Sequence, residues 1–241
     1  MEERKRFAKF LKYQTNGLVL LDAVTVDKGS ASIEDAFDEA VNTPYILQKV
    51  KWAEKQGYNA IVIDCFGDPG LDAARELVNI PVVGANHSAC YLAAQLGGRF
   101  SIISILPETD ILIRNLLLKY GLLSHLASIR HINVPVLDLE KDPEKTAMRI
   151  ADVVKKALTE DEACSVVFGC TGMAILLDKV NKILQEEGLD VPIIEPLKAA
   201  VYNAIYWVLK GVSHSKLAYL PIREKLRILD FKITEVIQSG K

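Results

Sequence analysis

Short β-branched runs alternate with longer helical stretches along the whole of this chain, and that alternation decides most of what it can fold into. Strands are expected over residues 18–26, 60–65, 81–84, 100–106, 132–139, 165–170 and 191–195. Helices are expected over 34–56, 70–78, 88–96, 108–120, 143–159, 172–187 and 197–209. Several strand runs (IVID, SIISIL, SVVFG) are almost continuously apolar, as strands covered on both faces are. Strand–helix alternation of this kind predicts an α/β architecture built on parallel sheet. Asp142-Pro143 and Asp68-Pro69 each read as an N-cap followed by the first helical residue, where proline's missing N–H costs nothing.

An internal echo refines the picture. Residues 61–84 run apolar strand, cysteine, glycine-bearing turn, helix, then a strand opening with proline, and residues 165–195 repeat the order. Cys65 and Cys170 hold the same place in each unit, and the intervals to Pro81 and Pro192 are 16 and 22 residues. Two copies of one unit point to two similar lobes facing each other. No linker-like segment separates them. The expected division is 1–97 plus 196–241 for one lobe and 98–195 for the other.

Composition excludes several function classes. With 29 basic against 31 acidic residues and no basic block, nothing favours nucleic acid or an anionic membrane surface. No run approaches the length of a membrane span, and the opening MEERKR lacks the apolar core of a secretory signal. Four cysteines in 241 residues do not make a disulfide scaffold, so free thiols in a reducing cytoplasm are expected.

A cysteine at the carboxyl end of a parallel strand lies where α/β proteins bind ligands. Unpaired backbone N–H groups and a helix N-terminus at that place are expected to lower the thiol pKa. Phe66-Gly67-Asp68 and Thr171-Gly172 follow the two thiols, and their glycines allow a ligand close to the backbone. The competing reading is that free cysteine is a small apolar core residue. That reading is kept for Cys90, on a helix, and for Cys164, at the start of a strand.

Other chemistries lack their signals. Cys164 and Cys170 are six residues apart, as are His125 and His131, which is not zinc-ligand spacing, so no metal is expected. No phosphate-binding glycine loop and no G-x-S-x-G elbow occurs. Two facing thiols without a metal fit stereochemical inversion at an acidic carbon. One thiolate removes a proton from one face, and the other thiol returns one to the opposite face. Amide donors aimed at the enolate oxygen would close the gap in acidity, each contributing roughly 3–4 kcal/mol in comparable sites.

The segment Cys65-Phe66-Gly67-Asp68-Pro69-Gly70-Leu71, with Ala73-Ala74-Arg75-Glu76 and Pro81-Val82-Val83-Gly84, resembles the hydantoin branch of the aspartate/glutamate racemase superfamily, which includes hydantoin and allantoin racemases. So do Ser32-Ile33-Glu34, Arg99-Phe100-Ser101-Ile102, Pro135-Val136-Leu137 and Gly169-Cys170-Thr171-Gly172-Met173, a likeness covering roughly residues 29–220. The resemblance implies two Rossmann-like lobes with parallel sheets related by a pseudo-twofold axis and an active site between them. It implies a racemase without a cofactor, with Cys65 and Cys170 as the acid/base pair and with Ser32, Phe66, Gly67, Thr171, Gly172 and Pro196 lining the substrate pocket. Asn86 joins them as a candidate binding residue. The expected substrate is a 5-substituted hydantoin or a related amino-acid derivative. The alternatives are arylmalonate decarboxylation, maleate isomerisation, or a non-catalytic small-molecule binder. A homo-oligomer is expected, with no nucleic-acid or membrane partner.

The chain departs from the family pattern at two places. Family members open with a strand ending in an Asn-Pro-Asn-Thr-like turn, whereas here Phe7, Phe10 and Leu11 fall at helical spacing, as though the chain began inside the family's first helix. An inner strand is therefore expected to be absent, leaving its neighbours with unpaired backbone groups unless another chain or the N-terminus fills the gap. Asn86-His87 stands where hydantoin racemases usually show Ala-Glu, which leaves His87 either a pocket residue or a helix cap.

Overall fold

The structure, a computed structural model, describes residues 2–225; residues 226–241 of the expected first lobe lie outside the described residues. Two parallel sheets organise it. In one, β1 (Ile61–Ile63) pairs with β2 (Val82–Gly84), Ile61 opposite Val82. The other has the order β4-β3-β5-β6, with β3 (Phe100–Ser104) flanked by β4 (Leu126–His131) and β5 (Ser165–Phe168), and β6 (Ile193–Ile194) beside β5. The continuous apolar runs predicted strands covered on both faces, and every residue of β3 and β5 is buried.

The helices follow the expected stretches. They are α1 (Glu2–Gln14), α2 (Ala36–Lys55), α3 (Leu71–Leu77), α4 (Ala85–Gly97), α5 (Asp110–Lys119), α6 (Pro143–Thr159), α7 (Leu177–Glu186) and α8 (Pro196–Lys210). Asp142 caps α6 as the sequence implies: its carboxylate accepts from the Lys145 N–H at 3.1 Å, with Pro143 in the first turn. Thr146, Ala147, Ile150, Ala151, Val154 and Ala157 then form one buried stripe of α6, packed with Val166 and Phe168 of β5. Ile150 and Val154 each contribute about 1.5–3 kcal/mol by leaving water, and the alanines less.

Several expectations are corrected. Residues 18–26 form no strand, and Leu18 and Leu20 are 72% and 69% exposed. The β1–β2 pair keeps open edges among the described residues, but of this run only Leu21 joins a hydrophobic cluster, so the run buries no face that would hold it as a strand. Helix α1 packs Phe7 and Leu11 against Leu197 and Val201 of α8, with Leu21 and Val62 of β1 against the same cluster. The strand expected over 132–139 is displaced to Leu126–His131. Asn133 has φ 50°, in the left-handed region that ends extended structure, and Val136–Asp138 form a 3₁₀ turn. Cys164 precedes β5 and is exposed rather than in the core, whereas Cys90 is buried as expected. The chain reaches Cys164 through Glu162 at φ 56°, which turns it outward before the strand begins. Residues 172–187 divide into a 3₁₀ segment, Thr171–Leu176, and α7.

Asp68 is not the cap of α3. That helix starts at Leu71 behind Gly70, whose φ of 68° suits only glycine well. The Asp68 carboxylate turns instead to α4, accepting from the Asn86 and His87 N–H groups at 3.0 and 2.9 Å. The helix expected from residue 88 therefore begins three residues earlier, at Ala85, with its free N–H groups met by a side chain from the Cys65 turn. No described helix is long and apolar enough to cross a membrane.

Candidate active site

Cys65 and Cys170 each stand two residues beyond the end of a parallel strand, Ile63 of the partly buried β1 and Phe168 of the buried β5. The turns that hold them match. The Cys65 carbonyl accepts from the Asp68 N–H, and the Cys170 carbonyl from the Met173 N–H, both at 3.1 Å. The Gly172 N–H donates to Cys170 Sγ at 3.3 Å, and the Gly67 N–H stabilises the Cys65 sulfur in the same way. Both thiols are free and partly exposed.

The two turns touch. The Thr171 hydroxyl donates to the Asp64 carbonyl at 3.4 Å. Arg4 of α1 binds both: Nε donates to Asp64 Oδ2 at 2.8 Å, and Nη2 donates to Asp64 Oδ1 at 3.1 Å. Nη2 also lies 3.3 Å from the Thr171 carbonyl and 3.5 Å from its hydroxyl. The thiols are near enough for charge on Cys170 to oppose ionisation of Cys65.

Thiol acidity runs against the sequence expectation. Burial pushes Cys170 up to about 11; the Gly172 N–H and Arg4 pull it down, while Asp64 pushes it up. Burial raises Cys65 further, and Cys170, Asp68 and Asp64 add to the rise against the Gly67 N–H. Helix α3 begins six residues beyond Cys65, so it does not start at that thiol as the sequence implied. Desolvation and three acidic neighbours prevail.

The other candidate residues occupy distinct positions. Ser32 Oγ donates to Glu34 Oε1 at 3.2 Å, and the same oxygen accepts from the Val136 N–H at 2.8 Å. Val136 in turn lies beside Gly172, where an added Cβ would stand 3.9 Å from its Cγ1 and 3.3 Å from Cys170 Sγ. Ser32 is thus brought to the Cys170 side. Gly67 lies against the other thiol, its ideal Cβ 3.7 Å from Cys65 Sγ. Thr171 is buried between Arg4 and Asp64. Pro196 is buried in the first turn of α8, whose cap Glu195 accepts from the Leu197 and Lys198 N–H groups at 2.8 and 2.9 Å. Glu195 lines the groove between α4 and α8, and its charge, after that of Asp64, raises the Arg4 pKa. The Phe66 side chain packs into the core with Ala89, Cys90, Phe100 and Ile113, so only its backbone is available to a ligand. Asn86 is fully buried, and neither polar atom of its side chain has a partner among the described residues.

His87 does not cap α4. Its ring meets Tyr91 and Tyr120 edge-on at 4.9 and 4.6 Å, and burial followed by Arg75 holds its pKa down to about 4. Tyr120 donates to Asp68 at 2.8 Å, and burial raises Asp68 to about 6 against its three hydrogen-bond donors. A groove of about 670 Å³ runs from His87 along α4 and α8 past Tyr91 and Tyr202, and neither thiol lines it. Sequence reasoning missed Arg4, Asp64, Glu34 and Glu195. Asp64 adjoins Cys65 and Glu34 stands two residues beyond Ser32, whereas nothing distinguishes Arg4 within MEERKR.

Residues 8–204 match the family model described as Asp/Glu/Hydantoin racemase. The chain belongs to this family. It is 38% identical over 203 residues to the hydantoin racemase of Pseudomonas sp. (strain NS671), covering 84% of this chain and 80% of that protein. Allantoin racemase from Klebsiella pneumoniae superposes with a TM-score of 0.80 at 36% identity, covering 88% of this chain and 84% of that one. The allantoin racemase of Pseudomonas fluorescens gives 0.81 at 28% identity, over 93% and 95% of the two chains. The α/β class and the two-lobed arrangement with parallel sheets therefore stand as expected. Membership supports an isomerase of the racemase type.

Proposed function

We propose that the protein racemises a 5-substituted hydantoin or a related amino-acid-derived ureide, with Cys65 and Cys170 as the paired acid and base. The observation that carries this reading is the matched pair of turns, each presenting a thiol beyond a parallel strand and joined through Asp64 and Thr171. One thiolate takes the α-proton, and the C–H electron pair moves into an enolate on the neighbouring carbonyl. The opposite thiol then gives its proton to the far face of the carbon and becomes the thiolate. The reverse direction exchanges the roles, which is why two like residues on similar units serve it. A ring carbonyl accepts enolate charge more readily than a carboxylate does, and backbone N–H groups of the turns are at hand to stabilise it. Cys170, the less strongly raised thiol, is the first to ionise.

The test is incubation of one enantiomer of 5-isobutylhydantoin in heavy water, with an enzyme-free blank. Racemisation with deuterium at the α-carbon is expected, and Cys65→Ser and Cys170→Ser should each abolish it while leaving the fold intact. Parental rates in both variants would overturn the two-thiol assignment. Binding without exchange in the parent would mark a non-catalytic binder.

A further inference from the structure

Arg4 reaches the turns of both thiols from outside them. It lies in the first turns of α1, a helix anchored on α8 by Phe7 and Leu11. Its side chain is only 18% exposed and forks onto one residue from each thiol-bearing turn. Asp64 immediately precedes Cys65, and Thr171 immediately follows Cys170. The two residues belong to loops of different sheets, so the contact fixes one turn relative to the other and not only within its own unit. We propose that Arg4 is a positioning residue for the reaction: by holding Asp64 and Thr171 together, it sets the separation of the Cys65 and Cys170 turns across the cleft. This inference rests on the two-thiol reading above.

The physical case has two parts. Proton delivery from both faces to one carbon tolerates little error in the spacing of the two sulfurs, and a displacement of about 1 Å costs on the order of a hundredfold in rate. A planar guanidinium with several donors holds two acceptors in a fixed relation, which a lysine ammonium on a flexible stem does not. The second part is charge. Arg4 faces Asp64, Glu195 and Cys170; Cys170 faces Asp64 and Arg4; Cys65 faces Cys170, Asp68 and Asp64. Arg4 therefore offsets the Asp64 carboxylate, which opposes ionisation of both thiols.

Arg4→Met and Arg4→Lys in the full chain test this, read by racemisation kinetics and by iodoacetamide labelling of each cysteine followed by mass spectrometry. Exposed Cys164 serves as the internal reference. Arg4→Met is expected to lower kcat by at least about tenfold with KM changed less than about threefold. It should also slow Cys170 labelling near pH 9 by about fivefold or more relative to Cys164. Arg4→Lys should label Cys170 at close to the parent rate yet recover only part of kcat, because charge is kept and the fork is lost. A kcat for Arg4→Met within about twofold of the parent, or unchanged Cys170 labelling, overturns the proposal. So does full parental kcat in Arg4→Lys, which decides the matter alone if Arg4→Met does not fold. The labelling needs no turnover, so it separates this outcome from failure of the two-thiol reading, which Cys65→Ser and Cys170→Ser report.

Discussion

The hydroxyl of Thr171 donates to the carbonyl of Asp64 at 3.4 Å, so the residues adjoining the two thiols are in direct contact. Thr171→Val keeps the shape of this buried side chain and removes its hydrogen bonding. The Asp64 carbonyl loses a donor, and Arg4 loses one of its acceptors. Stability is expected to fall by about 1 kcal/mol, the usual net worth of such a bond. Because the lost bond joins the two turns, kcat should fall several-fold while KM stays near that of the parent. Urea unfolding and racemisation kinetics check both. An unchanged kcat would mean that this contact does not govern the spacing of the thiols.

The raised thiols dictate a pH dependence. Burial pushes Cys170 up to about 11, and Cys65 lies higher still, so both are protonated in the free protein at neutral pH. The base form is a small fraction that grows tenfold with each pH unit below its pKa. The logarithm of kcat/KM should therefore climb with a slope near one between about pH 6 and about pH 8. Measurement of initial rates across that interval decides it. A plateau reached before neutrality would mean that a thiolate is already formed, contrary to the desolvated site.

What could be read beforehand depended on whether the deciding partner lay close in sequence. The apolar runs of β3 and β5 are buried on both faces, and Asp142-Pro143 caps its own helix, so local pattern alone identified them. Residues 18–26 have as strong a strand pattern, but a strand also needs a surface to cover, and of these residues only Leu21 packs into a hydrophobic cluster. Asp68 looks locally like a cap for the next helix and instead caps α4, 18 residues away from its Asn86 contact. The site divides in the same way. Cys65 and Cys170 were marked by their matching surroundings, whereas Arg4 reaches Thr171 across 167 residues and carries no local signature.

The ring of His87, wedged between Tyr91 and Tyr120, makes acid stability a second pH-dependent property. Burial holds its pKa down to about 4, against an ordinary value of 6.5. Below pH 6.5 the unfolded chain takes up a proton that the folded protein refuses, so stability is lost as pH falls from 6.5 towards 4. Asp68 acts in the opposite sense over a narrower span, because its carboxyl, raised to about 6 from 3.8, protonates in the folded state first. His87→Phe keeps an aromatic ring between the tyrosines and removes the titration. Relative to the parent, it should lose about 2 kcal/mol less stability between about pH 7 and about pH 4.5, after discounting for partial exposure. Urea unfolding at the two pH values measures the difference. Equal losses in the two proteins would remove His87 as the acid-sensitive group.

Gly84 closes β2 directly against the carboxylate of Asp68. A Cβ at that position would stand 2.5 Å from Asp68 Cγ and Oδ2 and 2.6 Å from Oδ1. The carboxylate cannot retreat freely, because the Asn86 and His87 N–H groups and the Tyr120 hydroxyl hold it at 3.0, 2.9 and 2.8 Å. Gly84→Ala should thus either break those bonds or push the Asp68 backbone, and with it the turn that carries Cys65. A stability loss of about 3 kcal/mol follows from overpacking together with weakened capping of α4. Gly67→Ala is the contrast, since its added methyl would make ordinary contacts with Cys65 Sγ at 3.7 Å and Pro69 Cδ at 4.0 Å. That variant should stay within about 1 kcal/mol of the parent in stability and should change KM, because the methyl stands beside the thiol. Thermal melts and racemisation kinetics on the pair separate the two effects. If Gly84→Ala melts like the parent, Asp68 has room to move and does not fix the Cys65 turn.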